Sequence, residues 1–228
     1  LRYVDEQSPM KQVQLFYSKD GGPWTAATTA TTTTLTFDAT ALGQGAYAFY
    51  TLATDAAGNT EKPPKTPRAR TLLARQFKGK QIHVNASAKG DGLGRDWANA
   101  CPTLHDALAL AERFKIPQVW VARGVYREPV QIPTGVELLG GFTGSETQAN
   151  QRDAQKNTTT IDVIRAHHPN GEPASWAVLM KNVSGSRLDG FTVTGGHSIS
   201  GQQIAQSNGA GIVCVDSDAS NVIAHCRI

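Results

Sequence analysis

The stretch that decides the fold runs from Trp97 to Phe142 and reads WANACPTLHDALALAERFKIPQVWVARGVYREPVQIPTGVELLGGF. It predicts an amphipathic helix followed by short strands, with Gly or Pro turns between them. Short strands in steady succession, separated by turn residues, are typical of a solenoid. We therefore expect residues 81–228 to form the first coils of a solenoid, and the residues before them to form a separate module.

The helix has clear signals at both ends. Thr103, with Asp106 three residues later, fits a capping box, and Pro117 ends the segment. Leu104 and Leu108 begin an apolar stripe at helical spacing. A parallel β-solenoid exposes an apolar cross-section at each end, which needs a cover. We expect the helix over residues 103–115 to cover the first coil, which gives it a structural role.

The strands around and beyond the helix are short and apolar. We predict them at residues 81–85, 119–122, 130–132, 136–139 and 160–164. Two later segments repeat each other: Val178 and Met180 match Ile212 and Cys214 at an offset of 34 residues, and Leu188, Phe191 and Val193 match Ile223, Cys226 and Ile228 at an offset of 35. Because neighbouring coils stack strand on strand, matched residues should lie in register.

Residues 1–72 alternate short apolar runs with turn residues and predict an all-β module. Strands are expected at 13–17, from Trp24 onward, at 33–37 and at 48–55, with an Asp-Gly-Gly hairpin turn at 20–22. Turn signals about every ten residues favour a β-sandwich.

Two segments of this module, VQLFYSKDGGPWT and LGQGAYAFYTLATDAAGNTE, resemble the immunoglobulin-like or fibronectin type III-like modules of secreted bacterial proteins. The resemblance implies that Tyr47 is the tyrosine of a corner, with its hydroxyl bonded to the backbone near Leu42. It covers residues 10–62, whereas a full sandwich needs about 90–100 residues. We therefore expect the sandwich to be truncated at its start.

Residues 61–80 carry seven Lys or Arg against the single Glu61, together with three prolines. Prolines stiffen a spacer, and a run of charge is usually a solvated face. We therefore expect the two domains, 1–72 and 81–228, to be joined by a linker at 73–80. Attraction of this basic run to an anionic surface polymer is the alternative interpretation.

The second domain resembles the amino-terminal part of the right-handed parallel β-helix proteins of the pectate-lyase-like superfamily. The segments that carry the resemblance are IHVNASAKGDGLGRDWANA, TLHDALALA, VWVARGVYREPVQIPTGVELLGGF and SRLDGFTVTGG. Together the two resemblances imply a mainly β chain, in which a partial immunoglobulin-like β-sandwich joins a right-handed parallel β-helix with an amphipathic N-terminal capping helix. Such proteins are secreted or lie on the cell surface, and many bind or cleave acidic polysaccharides. We expect further coils after Ile228.

Cleavage of a uronate polymer by β-elimination needs a cation that neutralises the carboxylate and a base beside the proton. The acids on the predicted coils are Asp189, Asp216 and Asp218, and the bases are Arg187, His197 and His225. These acids do not align at the coil offset, so the sequence predicts no metal cluster and assigns no catalytic residue. If the chain is an enzyme, the resemblance implies a polysaccharide lyase or a glycoside hydrolase of the β-helix type.

No cofactor is expected, although Asp55 and Asn59 leave a Ca²⁺ site open; the alternative is that they shape a hairpin turn. Cys101, Cys214 and Cys226 have no metal-ligand spacing. They are expected to be small buried residues, and one disulfide with a free thiol is the alternative.

The Gly-rich segment from 195 to 211 is polar, lacks periodicity and is expected to leave the coil as a loop. Loops on a rigid scaffold often carry binding residues. The candidate ligand contacts are Arg187, His197, Gln202, Gln203 and Asn208. Neutral groups suit sugar hydroxyls, and the arginine suits a carboxylate. A loop without a ligand is the alternative.

Composition narrows the partners. The net charge of +3 is too small to imply nucleic acid, and no apolar run approaches the roughly 20 residues of a membrane helix. The chain is therefore expected to be part of an extracellular or cell-surface protein that engages polysaccharide, with any catalytic coils after Ile228. An adhesin or structural stalk is the first alternative, and a polysaccharide lyase with its site within 119–228 is the second.

Overall fold

The structure is a computed structural model that describes residues 9–31, 34–74, 77–167, 174–196 and 210–228. The chain is mainly β and its strands form four sheets. It divides into two compact units, one of Leu1–Arg75 with Lys89–Gly92, and one of Gln76–Ala88 with Leu93–Ile228. No helix in the described ranges combines the length and the apolar character needed to cross a membrane.

The first unit contains an antiparallel sheet. Its strands are β1 (Met10–Lys19), β2 (Thr25–Ala30), β3 (Gly45–Asp55) and β4 (Ala69–Leu73), in the spatial order β2-β1-β3-β4. The β1–β2 hairpin confirms the predicted turn, since Asp20 and Gly21 have φ angles of 53° and 71°. Aspartate and glycine enter this left-handed region more readily than other residues. The strand predicted at 48–55 is also confirmed, as part of β3.

Tyr47 lies at the centre of this unit. Its side chain is 1% exposed, and its hydroxyl donates a hydrogen bond to the carbonyl of Gly43 at 2.6 Å. The predicted bond to the backbone near Leu42 is therefore confirmed. The ring packs among aromatic neighbours, with Phe37 at 5.8 Å and Tyr17 at 6.5 Å between ring centroids. Burial raises the pKa of the Tyr47 hydroxyl.

The strand predicted at 33–37 is wrong over its described part, because residues 34–39 pair with no neighbouring strand. Phe37 instead packs its ring on the sheet, 4.8 Å from Tyr17 and 5.1 Å from Phe49. Strand propensity measures how well side chains fit a pleated surface and does not supply a partner strand. Ring packing, and not a hydrogen-bonded ladder, holds this segment.

The basic segment at 61–80 is not a spacer throughout. Its residues 69–73 form β4, which pairs with β3 as an edge strand of the sheet. Charged side chains such as Arg70 are common on edge strands, where they discourage further pairing. The described part of the first unit contains this one sheet, so the expected second layer of a sandwich stays a prediction.

The second unit contains three parallel sheets. The large sheet has the strands β15 (Val222–Ala224), β12 (Arg187–Asp189), β9 (Glu137–Phe142), β6 (Gln118–Ala122) and β5 (Gln81–Val84), in that spatial order. The second sheet has β13 (Phe191–Thr194), β10 (Thr159–Asp162) and β7 (Gly124–Tyr126). The third has β14 (Ala210–Val215), β11 (Trp176–Lys181) and β8 (Val130–Gln131).

The chain visits these three sheets in a repeating order. The sets β7-β8-β9, β10-β11-β12 and β13-β14-β15 each pass through the second, the third and then the large sheet, and every set adds one parallel strand to each. Strands were predicted within or overlapping β5, β6, β8, β9 and β10, and all five are confirmed. Strands that follow one another within a set therefore lie in different sheets, and neighbouring strands within a sheet come from successive sets.

The predicted register is confirmed. Val178 pairs with Ile212, Met180 with Cys214, and Leu188 with Ile223, which are the offsets of 34 and 35 residues. The apolar core follows the same columns: Ile82, Val119, Leu138 and Leu188 lie in register across the large sheet, and each is 0% exposed.

The cysteines are free thiols with different exposures. Cys101 is buried and Cys226 is half-buried, but Cys214 is exposed, so its expected burial is wrong. The alternative of a disulfide is also wrong. The register places Cys214 opposite the buried Met180. Cys214 is nevertheless exposed, because β14 is the outermost strand of its sheet and has one neighbouring strand.

The helix α1 (Leu104–Phe114) packs on β5, β6 and β8. The predicted cap is confirmed, because the Thr103 hydroxyl accepts a hydrogen bond from the amide of Asp106 at 3.1 Å. Leu104 and Leu108 are 0% and 4% exposed, as the apolar stripe predicts. The helix ends at Phe114, and the C-cap residue Lys115, with a φ of 55°, breaks the helical path before Pro117.

A second cap at the start of α1 is invisible in the local sequence. The carboxylate of Glu128 accepts hydrogen bonds from the amides of Leu104 at 2.8 Å and His105 at 3.2 Å. These amides lack partners inside the helix, and the positive end of the helix dipole favours an anion there. Burial raises the pKa of Glu128, and the two amide bonds oppose that rise.

We expect Leu108→Asp to lower the free energy of unfolding by several kcal/mol, because the substitution puts a charge against an apolar core. Ala109→Asp is the matched control, since Ala109 is an exposed residue of the same helix. Thermal and urea denaturation measure both. Equal stability of the two variants would show that α1 does not cover the core.

We expect Tyr47→Phe to lower the free energy of unfolding by about 1 kcal/mol, because it removes one buried hydrogen bond. The control is Tyr17→Phe, which removes a hydroxyl from the same aromatic cluster; within the described ranges that hydroxyl has no hydrogen bond. Urea denaturation of the two variants would contradict the role of Tyr47 if their losses were the same.

Candidate functional site

The candidate site is built around Asp189, the last residue of β12. Its side chain is 1% exposed. The preceding residue, Leu188, belongs to the core, and alternation along the strand turns Asp189 to the opposite face. In register with it lie Trp120 and Leu139 on the same sheet. A carboxylate on such an apolar column needs specific partners.

Three cationic or protonatable side chains supply those partners. The oxygens of the Asp189 carboxylate lie 2.9 Å from Arg152 Nη2, 2.9 Å from Arg187 Nε and 2.9 Å from His225 Nδ1. We call these four residues the Asp189 cluster. Burial alone would raise the pKa of Asp189, but the hydrogen bonds from its three partners outweigh burial and lower it. Asp189 is therefore ionised at neutral pH.

Arg152 reaches the cluster from the loop that joins β9 to β10, residues 143–158, which includes a 3₁₀ helix at Ala149–Gln151. Its Nη1 also donates to the carbonyl of Gly140 at 3.0 Å. Gly190, with a φ of 82°, makes this approach possible. A Cβ there would lie 2.7 Å from Arg152 Nη1 and 3.0 Å from the Cβ of Ala154. The glycine therefore admits the loop to the end of the strand.

A second anchor fixes the other half of the 143–158 loop. Trp97 Nε1 donates to the carbonyl of Glu146 at 2.8 Å, and the Trp97 ring packs 5.6 Å from Phe142 and 4.6 Å from His83. The Glu146 side chain accepts the amide of Thr143 at 2.7 Å. Burial lowers the pKa of His83, which is thus a neutral residue of this aromatic packing.

A cleft of about 1020 Å³ lies next to the cluster, within the second unit. It is lined by residues 149–155, Thr158, residues 190–192 and residues 225–227. Arg152 and His225 link the cleft to the Asp189 cluster. Gln155, Thr158 and Thr192 add neutral hydrogen-bonding groups, and Arg227 adds an exposed cation.

Of the sequence-predicted candidate residues, some lie within the described ranges and others do not. Arg187 is described and forms an ion pair with Asp189, while it does not line the cleft. His197, Gln202, Gln203 and Asn208 lie outside the described residues. His225 joins Asp189 as one pair, although the sequence separates them by 36 residues.

The remaining acidic candidates shape turns. Asp218 accepts the amide of Ser220 at 2.9 Å, and Asp216 adopts a φ of 49° at the end of β14. Asp55 accepts hydrogen bonds from the backbone amide and from the side-chain nitrogen of Asn59, both at 2.8 Å, which confirms that the pair shapes the hairpin turn. Hydrogen bonds from Asn59 lower the pKa of Asp55. Among the described residues, no group of three or more His, Cys, Asp and Glu is placed to hold a metal ion.

Sequence reasoning missed Arg152, Arg227 and Gln155. Arg152 lies in a polar loop outside every repeat, and Arg227 lies between the matched residues Cys226 and Ile228 without itself being part of the apolar pattern. Comparison of the chain with protein-family models, curated proteins and solved structures finds no match. The chemistry of the cleft therefore rests on its own residues: neutral hydrogen-bond donors and acceptors, the exposed Arg227, the carboxylate of Asp153, and a histidine held by a buried carboxylate.

We expect Asp189→Asn to lower the free energy of unfolding by about 3 kcal/mol at pH 7, because it leaves Arg152 and Arg187 without their counter-charge. The wild-type contribution has a defined pH window. The folded-state pKa of Asp189 is lowered, so its contribution is present above the unfolded value of about 3.9 and is lost as the pH falls through the folded value.

Urea denaturation between pH 3 and pH 7 measures both effects. Asp218→Asn is the control, because asparagine preserves the turn that Asp218 shapes. The stability of the Asp189→Asn variant should fall less steeply below pH 4 than that of the wild type. A slope equal to the wild-type slope would contradict the role of Asp189.

Proposed function

We propose that the chain is part of an extracellular or cell-surface right-handed parallel β-helix protein that binds polysaccharide, with the cleft as the binding surface. The repeated passage through three parallel sheets supports a β-helix. Right-handedness is supported by the general rule for parallel crossover connections. The first unit is proposed to be an immunoglobulin-like module, supported by the bond from Tyr47 to Gly43.

The cleft is the observation that carries the proposed function. Its volume of about 1020 Å³ is large enough to hold a sugar ring together with its substituents. Gln155, Thr158 and Thr192 offer the mixed donors and acceptors that sugar hydroxyls need. Arg227 offers a bidentate partner for one carboxylate. Phe191 also lines the cleft but is 1% exposed, so it offers little ring surface for stacking and the binding should be weak.

The loop between β13 and β14 is proposed to extend this surface. It contains His197, Gln202, Gln203 and Asn208, and it follows the strand that carries Thr192. The proposal for the loop rests on its composition and on this connection to β13. Deleting residues 197–208 tests it separately from the cleft.

A structural module without a ligand is the second candidate function. Asp189 engages Arg152 and Arg187, so two cations near the cleft serve packing and offer less to a ligand. A stalk or adhesin segment would need the Asp189 cluster for rigidity alone. The same binding measurement separates the two candidates.

We expect the full chain to bind a glycan with a dissociation constant on the order of millimolar. Isothermal titration calorimetry with an oligogalacturonate and a neutral xylo-oligosaccharide measures this. Thr192→Val and Arg227→Ala should each weaken binding about fivefold, the equivalent of one net hydrogen bond. Arg123→Ala is the control, because Arg123 is exposed and lies outside the cleft lining. Binding by neither glycan, or unchanged affinity in both cleft variants, would favour the structural module.

A further inference from the structure

His225 occupies an unusual backbone position. Ala224 pairs with Asp189 across the large sheet, so His225 takes the place that Gly190 has one coil earlier. Both residues have φ angles in the left-handed region, 49° for His225 and 82° for Gly190. Glycine enters this region freely, whereas other residues adopt it uncommonly, with histidine, asparagine and aspartate the most frequent among them. In this chain such a φ occurs at ordinary turns, as at Asp216, and in general it also occurs at functional sites.

The hydrogen bond to Asp189 determines which nitrogen of His225 carries the proton. Asp189 is ionised and accepts from Arg152 and Arg187, so it has no proton to donate. The 2.9 Å contact between His225 Nδ1 and Asp189 Oδ1 therefore requires a proton on Nδ1. In the neutral imidazole the lone pair then lies on Nε2.

That nitrogen is available to a ligand. The side chain of His225 is 72% exposed and lines the cleft, and its other nitrogen is held by Asp189. Arg187 and Arg152 flank the carboxylate, and Arg227 lines the same cleft as His225. Asp153, which pairs with Lys156 at 3.2 Å, also lines this cleft.

We propose that His225 is the proton acceptor of the cleft, for a water molecule or a ligand hydroxyl, and that Asp189 is its positioning residue. In the step, the O–H bond of the bound group breaks, the proton bonds to Nε2, and the electron pair stays on the oxygen. The resulting imidazolium is paired with Asp189, and Arg227, which lines the same cleft, is the proposed cation for the oxyanion. Only the identity of the hydroxyl as that of a glycan rests on the proposed function.

The tautomer of His225 tests this without a ligand. Long-range ¹H–¹⁵N correlation spectra of the ¹⁵N-histidine-labelled full chain, recorded at a pH where the histidines are neutral, distinguish a proton on Nδ1 from one on Nε2. His225 should carry its proton on Nδ1, whereas the exposed His105 serves as the internal reference. A proton on Nε2 of His225 in the wild type would overturn the proposal. If the Asp189→Asn variant folds, its His225 should lose the preference for a proton on Nδ1.

Reactivity provides the second readout. Diethyl pyrocarbonate acylates unprotonated imidazole, and mass spectrometry of peptides reports the rate at each histidine. His225 should react faster than His105 in the wild type, because Asp189 holds the proton on Nδ1 and leaves the Nε2 lone pair accessible. A slower reaction at His225 than at His105 would overturn the role of proton acceptor.

Glycan titration separates this proposal from the proposed function. With the glycan that binds, His225→Phe should weaken binding about fivefold, His225→Gln should weaken it less because glutamine can still accept a hydrogen bond, and His105→Phe should leave it unchanged. Unchanged affinity in His225→Phe would overturn the contact between His225 and the ligand. If no glycan binds the wild type, the proposed function fails, while the tautomer and the acylation rate still decide the role of His225.

Discussion

A carboxylate can remain ionised away from water only if cations and hydrogen-bond donors surround it. Asp189 meets that requirement with side chains from three parts of the chain: Arg187 two residues before it, Arg152 from the 143–158 loop, and His225 directly after β15. The ion pairs hold the loop against the large sheet and place the imidazole at the edge of the cleft. The geometry of the candidate site therefore depends on one buried charge.

The backbone at this corner makes the ion pairs possible. Gly141 and Gly190 have φ angles of 93° and 82°, and a Cβ on either would collide with Ala154. Close approach of the loop thus requires glycine at both positions. His225 follows Ala224, the partner of Asp189 in register, and no loop of the described chain crosses there. The left-handed turn and the bond to Asp189 occur in the same residue, His225.

The two units show different relations between pattern and structure. In the parallel sheets, side chains alternate between the core and the outside, and apolar residues such as Val119, Leu138 and Leu188 lie in register on neighbouring strands. A repeat of this kind leaves a periodic signal, from which the register at 178–214 and 188–223 is predictable. In the antiparallel unit, the residues around Phe37 have the composition of a strand, but Phe37 packs on the sheet through its ring. The strand propensity of a segment does not depend on whether a partner strand is present beside it.

By itself, the sequence determined the mainly β fold, most strands of the second unit and the register of the repeated ones, the capped helix and the bond from Tyr47 to its turn. These features follow from short-range spacing, turn residues and apolar periodicity, all of which are written along the chain. The tertiary structure decided the candidate site: Glu128 at the start of α1, Arg152 at Asp189, and the cleft beside His225. Their partners lie 24, 37 and 36 residues apart, and no local pattern specifies such pairs. The burial of a charge selects them, because only the folded chain removes the carboxylate from water and brings the donors that it needs.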